Sequence, residues 1–304
     1  MDPTTTMAAA LGGAALLAAI GWSRLGASRR RRARPRRARE ALGRAARLVE
    51  LVGHVQQHRG MSGAWLAGDA SFAAHLPEKQ AAVERAFAAL LEAMAGEDAE
   101  PYPCFVSNDL RLLRHRWREL VAGLGGSSPE HSFQAHCRVV ATLLEWLAAL
   151  GEARIEQPFA GEVSAAAARN FAHRLPVLAE CLGQARALGS AVAVRRYCPP
   201  VARVRLAFLA ARSETLLRQA TEATADRGAA ACAQARHGVD AYLEVIRGRL
   251  LAAREIDMPA GDYFALATRA MDAVFAWLEA EQGTVAAALG SGVVAGPAAP
   301  EAHA

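Results

Sequence analysis

Two arginines occupy positions where the helical pattern of this chain calls for apolar side chains. A stripe of leucines and valines that begins at Leu48 continues at helical spacing into Arg59, and a leucine stripe that begins at Leu175 runs into Arg186. Arginine cannot neutralise itself, and a buried unpaired charge is costly. Each of these arginines therefore needs an acidic partner, water or a bound anion.

An anion site is the functional interpretation of this pattern. A guanidinium group is planar with forked donors, which match a small planar oxyanion, and Ser62 offers a hydroxyl one turn from Arg59. Arg247 lies in a third apolar stripe and is expected to point inward as a further cation. Gathering these cations is unfavourable until an anion enters, so binding would draw the helices together.

The structural alternative needs no ligand. Each arginine can form a buried salt bridge or extend its stem outward to solvent. The hydroxyls of Ser62 and Thr268 can each bond a carbonyl one turn back along their own helices.

The elements that must position these residues are helices. Alanine is abundant, aromatic residues make up only 6% of the chain, and no alternating run suggests a strand. We predict an all-α fold, an eight-helix array of two four-helix bundles that follows an N-terminal membrane helix. A Gly/Ser loop at 125–128 lies near the midpoint, and Pro176 is a candidate kink. The predicted helices cover about 36–66, 71–94, 103–123, 129–151, 161–196, 200–225, 228–256 and 259–283.

The N-terminal region predicts membrane attachment. Residues 7–22 are apolar, slightly fewer than the roughly 20 that a spanning helix needs, and nine arginines follow at 24–39. A cleaved signal peptide has the reverse order, and the positive-inside rule places the chain after Arg24 in the cytoplasm. We therefore expect a single-pass protein of the bacterial inner membrane; a weakly hydrophobic leader or a start codon placed too early is the alternative. The expected divisions are an anchor at 1–23, an Arg-rich juxtamembrane segment at 24–40, the helical domain at 41–288 and a disordered tail at 289–304.

The partners of the arginine block follow from its position. Beside an apolar span, arginines contact anionic lipid headgroups. A nucleic-acid-binding arm is the weaker alternative, because a nucleic-acid binder normally spreads basic charge over its folded surface. We do not expect a nucleic-acid partner.

Motifs of common enzymes are missing. The sequence contains no His-Glu-x-x-His, Glu-x-x-His, Gly-x-x-x-x-Gly-Lys or Gly-x-Ser-x-Gly. Its five cysteines include no Cys-x-x-Cys pair. We therefore expect no catalytic residue, no metal site and no cofactor, and a protein that is not an enzyme.

Three motifs point to a family. The segment Arg59-Gly60-Met61-Ser62 resembles the opening motif of nitrate- and nitrite-sensing (NIT) domains, and Phe72, Leu76, Gln80 and Phe87 through Leu91 look like that family's second helix. The segment from Gly183 to Gly189, with Gln184 and Arg186, resembles its central Gly-Gln-x-Arg-x-x-Gly motif. The segment with Phe264, Thr268 and Asp272 resembles its last helix, so the resemblance spans about 45–285.

The resemblance implies a helical sensor of two four-helix bundles with nitrate or nitrite bound between helices. Relatives attach this module to an output, such as an RNA-binding antiterminator, a chemotaxis region, a histidine kinase or a cyclic-di-nucleotide enzyme. Because only a short tail follows the last helix here, we expect signalling to a separate output protein or within a homodimer. The expected ligand residues are Arg59, Arg186, Ser62, Arg247 and Thr268. The alternative is a membrane-tethered scaffold that kept the fold without the ligand, which carboxylate partners on the arginines would favour.

Overall fold

The structure, a computed structural model, describes residues 36–159, 163–224 and 228–290, and within these residues it contains helices and turns but no strand. The all-helical fold expected from the sequence is confirmed. Eight long helices are present in this part of the chain. They are α1 (36–66), α2 (Leu76–Glu92), α3 (Ser107–Ala122), α4 (Pro129–Leu150, continued by a π-helical turn at Gly151–Glu156), α5 (Val163–Arg195), α6 (Pro200–Ala223), α7 (Ala229–Val245, continued by a π-helical turn at Ile246–Leu251) and α8 (Ala260–Gly290).

Local sequence explains where the observed ends differ from the predicted ones. The second helix starts later than predicted, because Asp69 caps a separate 3₁₀ turn at Ala70–Phe72 and Pro77 then opens α2. A one-turn helix at Ala95–Asp98 was not predicted. A π-helical turn at Asn170–Arg174 interrupts α5 two residues before Pro176, the candidate kink, which lacks an N–H donor.

The helices of the second half surround a common core. Helix α5 contacts α6 and α8, and α7 contacts both α6 and α8, so the four close into a ring. Helix α5 is long and apolar enough to cross a membrane by length and composition, but more than half of that stretch is buried inside the fold. The core helix of a helical bundle is buried in the same way.

Helix α1 crosses from one end of the molecule to the other and bonds to both halves. Near its start, the Arg39 guanidinium donates to the carbonyl of Leu289 at the end of α8. One turn later Arg44 pairs with the buried Glu97, which also pairs with Arg154. The beginning of α1 and the end of α8 are therefore side by side.

Several expectations fall outside the described residues. The predicted membrane anchor at 7–22, most of the arginine block and the tail after residue 290 all lie there.

A buried histidine pair joins α1 to α4. The His136 Nδ1–H donates to the Ser132 carbonyl at 2.7 Å, which leaves His136 Nε2 to accept from His58 Nδ1 at 2.8 Å. Burial lowers the pKa of His58 to about 3 and that of His136 to about 4, so both rings are neutral. His58 also stacks edge-on against Trp117, with 4.8 Å between ring centroids. The pair is a core contact that needs uncharged histidines.

This pair predicts acid sensitivity. The unfolded chain takes up protons near the ordinary histidine pKa of 6.5, whereas the folded pair does not. The free energy of unfolding should therefore fall as the pH drops from 6.5 to 5, with a slope that grows from about 0.7 toward about 1.4 kcal/mol per pH unit for each histidine. Denaturant unfolding of the wild type and of His136→Gln across this range measures the slope, which the variant should reduce. The exposed His115 provides the control His115→Gln, and an equal slope in all three proteins would contradict the prediction.

Candidate functional site

The first arginine is buried and paired. Arg59 on α1 is only 4% exposed, and its guanidinium donates to both carboxylate oxygens of Glu180 on α5, at 2.5 Å to Oε1 and 3.1 Å to Oε2. Burial alone would lower the pKa of Arg59, but the Glu180 carboxylate raises it above its ordinary value. The guanidinium is therefore charged and neutralised by a carboxylate.

Amide side chains hold the carboxylate from the other side. The Gln56 Nε2 donates to Glu180 Oε2 at 2.8 Å, and the Gln184 Nε2 donates to Glu180 Oε1 at 2.7 Å. The Arg59 Nη1 also contacts the sulfur of Cys137 on α4 at 3.2 Å. At Gly183 an added Cβ would lie 3.1 Å from Arg59 Nη2, so this motif glycine makes room for the guanidinium.

The second arginine has no carboxylate partner. Arg186 on α5 donates from Nη1 to the hydroxyl of Thr268 at 3.0 Å, and its guanidinium lies over the Phe264 ring, 4.7 Å from the centroid. No carboxylate among the described residues lies within ion-pair distance of it. Burial lowers the pKa of Arg186, the positive charge of Arg59 lowers it further, and Tyr242 and Asp272 partly offset both effects.

Both arginines lie along the same α1–α5 contact. An added Cβ at Gly60, the residue after Arg59, would lie 4.0 Å from Arg186 Nη2, so the backbone of α1 passes beside the second guanidinium. Since Glu180 neutralises Arg59, the pair of arginines keeps one uncompensated positive charge. The arrangement can hold one small monovalent anion at Arg186, with Thr268 beside it.

A tyrosine ladder fixes α8 against α5 next to Arg186. The Tyr263 hydroxyl donates to the Ala185 carbonyl at 2.8 Å and accepts from the Tyr242 hydroxyl at 2.8 Å. A Cβ added at Gly189 would come within 2.1 Å of the Tyr263 hydroxyl oxygen. Gly189 is thus needed for the close approach of Tyr263.

The hydroxyl candidates already have local bonds. Ser62 is buried and donates to the carbonyl of His58 at 2.7 Å, and Thr268 donates to the carbonyl of Phe264 at 2.9 Å. Thr268 still accepts from Arg186, whereas Ser62 faces the histidine pair. The structure therefore places Thr268 at the second arginine and Ser62 among the histidines.

Arg247 does not point inward, so that expectation is wrong. Its side chain is 47% exposed and pairs with Glu214 on α6 at 2.6 Å. Leu243, Ile246 and Leu250 are buried as the pattern predicted, but the helix becomes π-helical at Ile246–Leu251, which changes the register that an α-helical stripe assumes for Arg247.

The sequence interpretation missed Glu180, the residue that neutralises Arg59. A signal for it exists: Glu180 is the single acidic residue between positions 163 and 213, inside an apolar helix. A buried acid in such a context needs a partner, as a buried arginine does. Local spacing does not show that its partner is Arg59, 121 residues earlier in the sequence.

Comparisons with known proteins agree with this fold and these motifs. A solved structure of the NasR transcription antiterminator superimposes with a TM-score of 0.67 at 19% sequence identity, covering 90% of this chain and 74% of that one. At this identity the likeness concerns the fold alone. No match was found among curated protein sequences. The family model for nitrate and nitrite sensing matches residues 50–292, which include all three motifs. The chain therefore belongs to the nitrate- and nitrite-sensing (NIT) family.

Proposed function

We propose that this protein is a non-enzymatic sensor that binds nitrate or nitrite at Arg186. The observation that supports it best is a guanidinium, packed between helices, that has a hydroxyl and an aromatic ring as neighbours but no carboxylate. Burial and the nearby Arg59 both work against its charge, as the lowered pKa of Arg186 expresses. A monovalent oxyanion would relieve both effects.

The groups proposed to bind the anion are already held in place before it binds. Arg186 presents forked donors held by Thr268 and Phe264, and the α1 backbone passes close by at Gly60. A planar anion bound there would lie near Arg59, so it would compete with Glu180 for that guanidinium. Gln56 and Gln184 would keep hydrogen bonds to the displaced carboxylate. Glu180 is thus proposed as an internal competitor that sets the affinity.

The same competition offers a route from ligand to signal. The Arg59–Glu180 pair joins α1 to α5, and we infer that these two helices form the joint between two four-helix bundles. Loosening one pair while the anion forms another changes how α1 lies on α5, which shifts the balance between two arrangements.

Membrane attachment and output belong to the same proposal. Residues 7–22 would anchor the chain in the bacterial inner membrane as a single pass, with the helical domain in the cytoplasm and the arginines at 24–39 on anionic headgroups. The signal would pass to a separate output protein or within a homodimer. Steep salt dependence of RNA binding, lost when residues 24–39 are deleted, would instead give the arginine block a nucleic-acid role.

A ligand-free scaffold is the second candidate, and the Arg59–Glu180 pair favours it. A carboxylate that satisfies a buried arginine is what such a protein would keep. Arg186, which has no carboxylate partner, separates the two candidates, because a half-buried unpaired charge would not stabilise a scaffold.

Arg186→Ala should abolish most anion binding. Loss of charge-assisted hydrogen bonds worth about 1.5–3 kcal/mol weakens nitrate or nitrite binding by about 10- to 100-fold. Calorimetric titration of the full chain with each anion measures this. Arg247→Ala removes an equally charged but exposed side chain and should bind as the wild type does. Absence of heat with both anions in the wild type, or equal affinity in Arg186→Ala, would support the scaffold.

Glu180→Gln should tighten anion binding while destabilising the free protein. The variant leaves Arg59 as a buried charge without its carboxylate, at a cost of about 3–5 kcal/mol in the free energy of unfolding. Added nitrate should recover part of that loss, so the thermal midpoint rises more with nitrate in Glu180→Gln than in the wild type. Glu222→Gln, at an exposed glutamate on α6, is the control. Weaker binding by Glu180→Gln would mean that Glu180 positions Arg59 for the ligand instead of competing with it.

A further inference from the structure

An exposed apolar stripe runs along the first part of α6. Val201, Val204 and Phe208 follow at spacings of three and four residues, and their exposures are 71%, 70% and 66%. This spacing puts them on one side of the helix over about 10 Å. Val194 and Tyr197, at the end of α5 and in the turn before α6, are also exposed. We call these five residues the 194–208 surface.

The chain segment that carries this surface is basic. Positions 194–213 contain five arginines and no acidic residue. Arg205 pairs with Glu130, and Arg203 donates to the Leu251 carbonyl. The other three, Arg195, Arg196 and Arg212, are exposed and form no ion pair with any described residue. Arg195 and Arg196 lie between Val194 and Tyr197 in sequence, and Arg212 follows Phe208 by one helical turn, so positive charge flanks the apolar residues at both ends of the stripe.

We propose that the 194–208 surface docks onto an anionic lipid bilayer. Valine, phenylalanine and tyrosine side chains on one helix face, bordered by arginines, match the interfacial helices that lie in the headgroup region. Arginine stems extend along apolar surface while their charged ends reach phosphate groups, and tyrosine favours the same depth. A second copy of this chain fits poorly, because two positive borders would face each other.

The membrane is also within reach of this surface. The inference rests on the proposed membrane anchor at 7–22, which would bring the domain to a bilayer. The 13 residues from 23 to 35 could span up to about 45 Å if extended, enough for the domain to lie on its side. Side-on docking would hold α5 and α6, and therefore the helix that carries Arg186, against the lipid surface.

The test uses a tryptophan placed in the surface of the full chain. Phe208→Trp and the control Leu112→Trp each add one tryptophan at an exposed apolar position; Leu112 lies on α3 without an apolar stripe. Each protein is compared with the wild type on vesicles with brominated acyl chains, made of phosphatidylcholine alone or with an equal part of phosphatidylglycerol. We expect the extra Phe208→Trp emission to be quenched several-fold on the anionic vesicles only, and the Leu112→Trp emission to remain unquenched. Val204→Trp provides a second probe should Phe208→Trp fold poorly.

Three results would overturn the proposal. These are no quenching at either probe, equal quenching without phosphatidylglycerol, and a blue shift that grows with protein concentration in the absence of vesicles, which would indicate a second copy. Quenching should also decrease when Arg195, Arg196 and Arg212 are changed to glutamine.

Vesicle flotation of the triple variant Val201→Ser, Val204→Ser and Phe208→Ser reports the anchor alone, and nitrate titration of the same variant reports the anion site. Failure of this surface is thereby distinguished from failure of the proposed function.

Discussion

A buried ion pair between distant parts of the chain organises this structure. Arg59 and Glu180 lie on helices from the two halves, and neither tolerates burial without the other. Gln56 and Gln184 complete the hydrogen bonding of the carboxylate, and Gly183 opens the space that the guanidinium occupies. This pair joins α1 to α5 close to the point where the second guanidinium meets the α1 backbone.

The two arginines differ in their partners, and this difference determines the net charge of the site. Arg59 has a carboxylate and Arg186 has a hydroxyl, so the site combines a neutral pair with a free cation. Two buried arginines without carboxylates would lower the free energy of unfolding, because buried unpaired charges are costly. Two arginines that were both paired would leave no positive charge for an anion. The observed combination leaves one positive charge without a carboxylate, which is what the proposed anion site requires.

Sequence reasoning reached the helices and the inward positions of Arg59 and Arg186, because both follow from local spacing and from breaker residues. It placed Arg247 wrongly, because the π-helical turn at Ile246–Leu251 changes the register that an α-helical stripe assumes. It missed Glu180 and the His58–His136 pair, because both depend on which helices become neighbours across the chain. Spacing alone left the kind of anion open, and the choice of nitrate or nitrite in the proposal comes from the family.

The contact between Arg39 and the Leu289 carbonyl has a mechanical consequence. Helices α1 and α8 both run from the arginine site to this contact, over about 20 residues each. A small rotation of either helix at the arginine site would therefore be magnified over about 30 Å. Chain segments attached before residue 36 or after residue 290 would therefore feel the largest displacement.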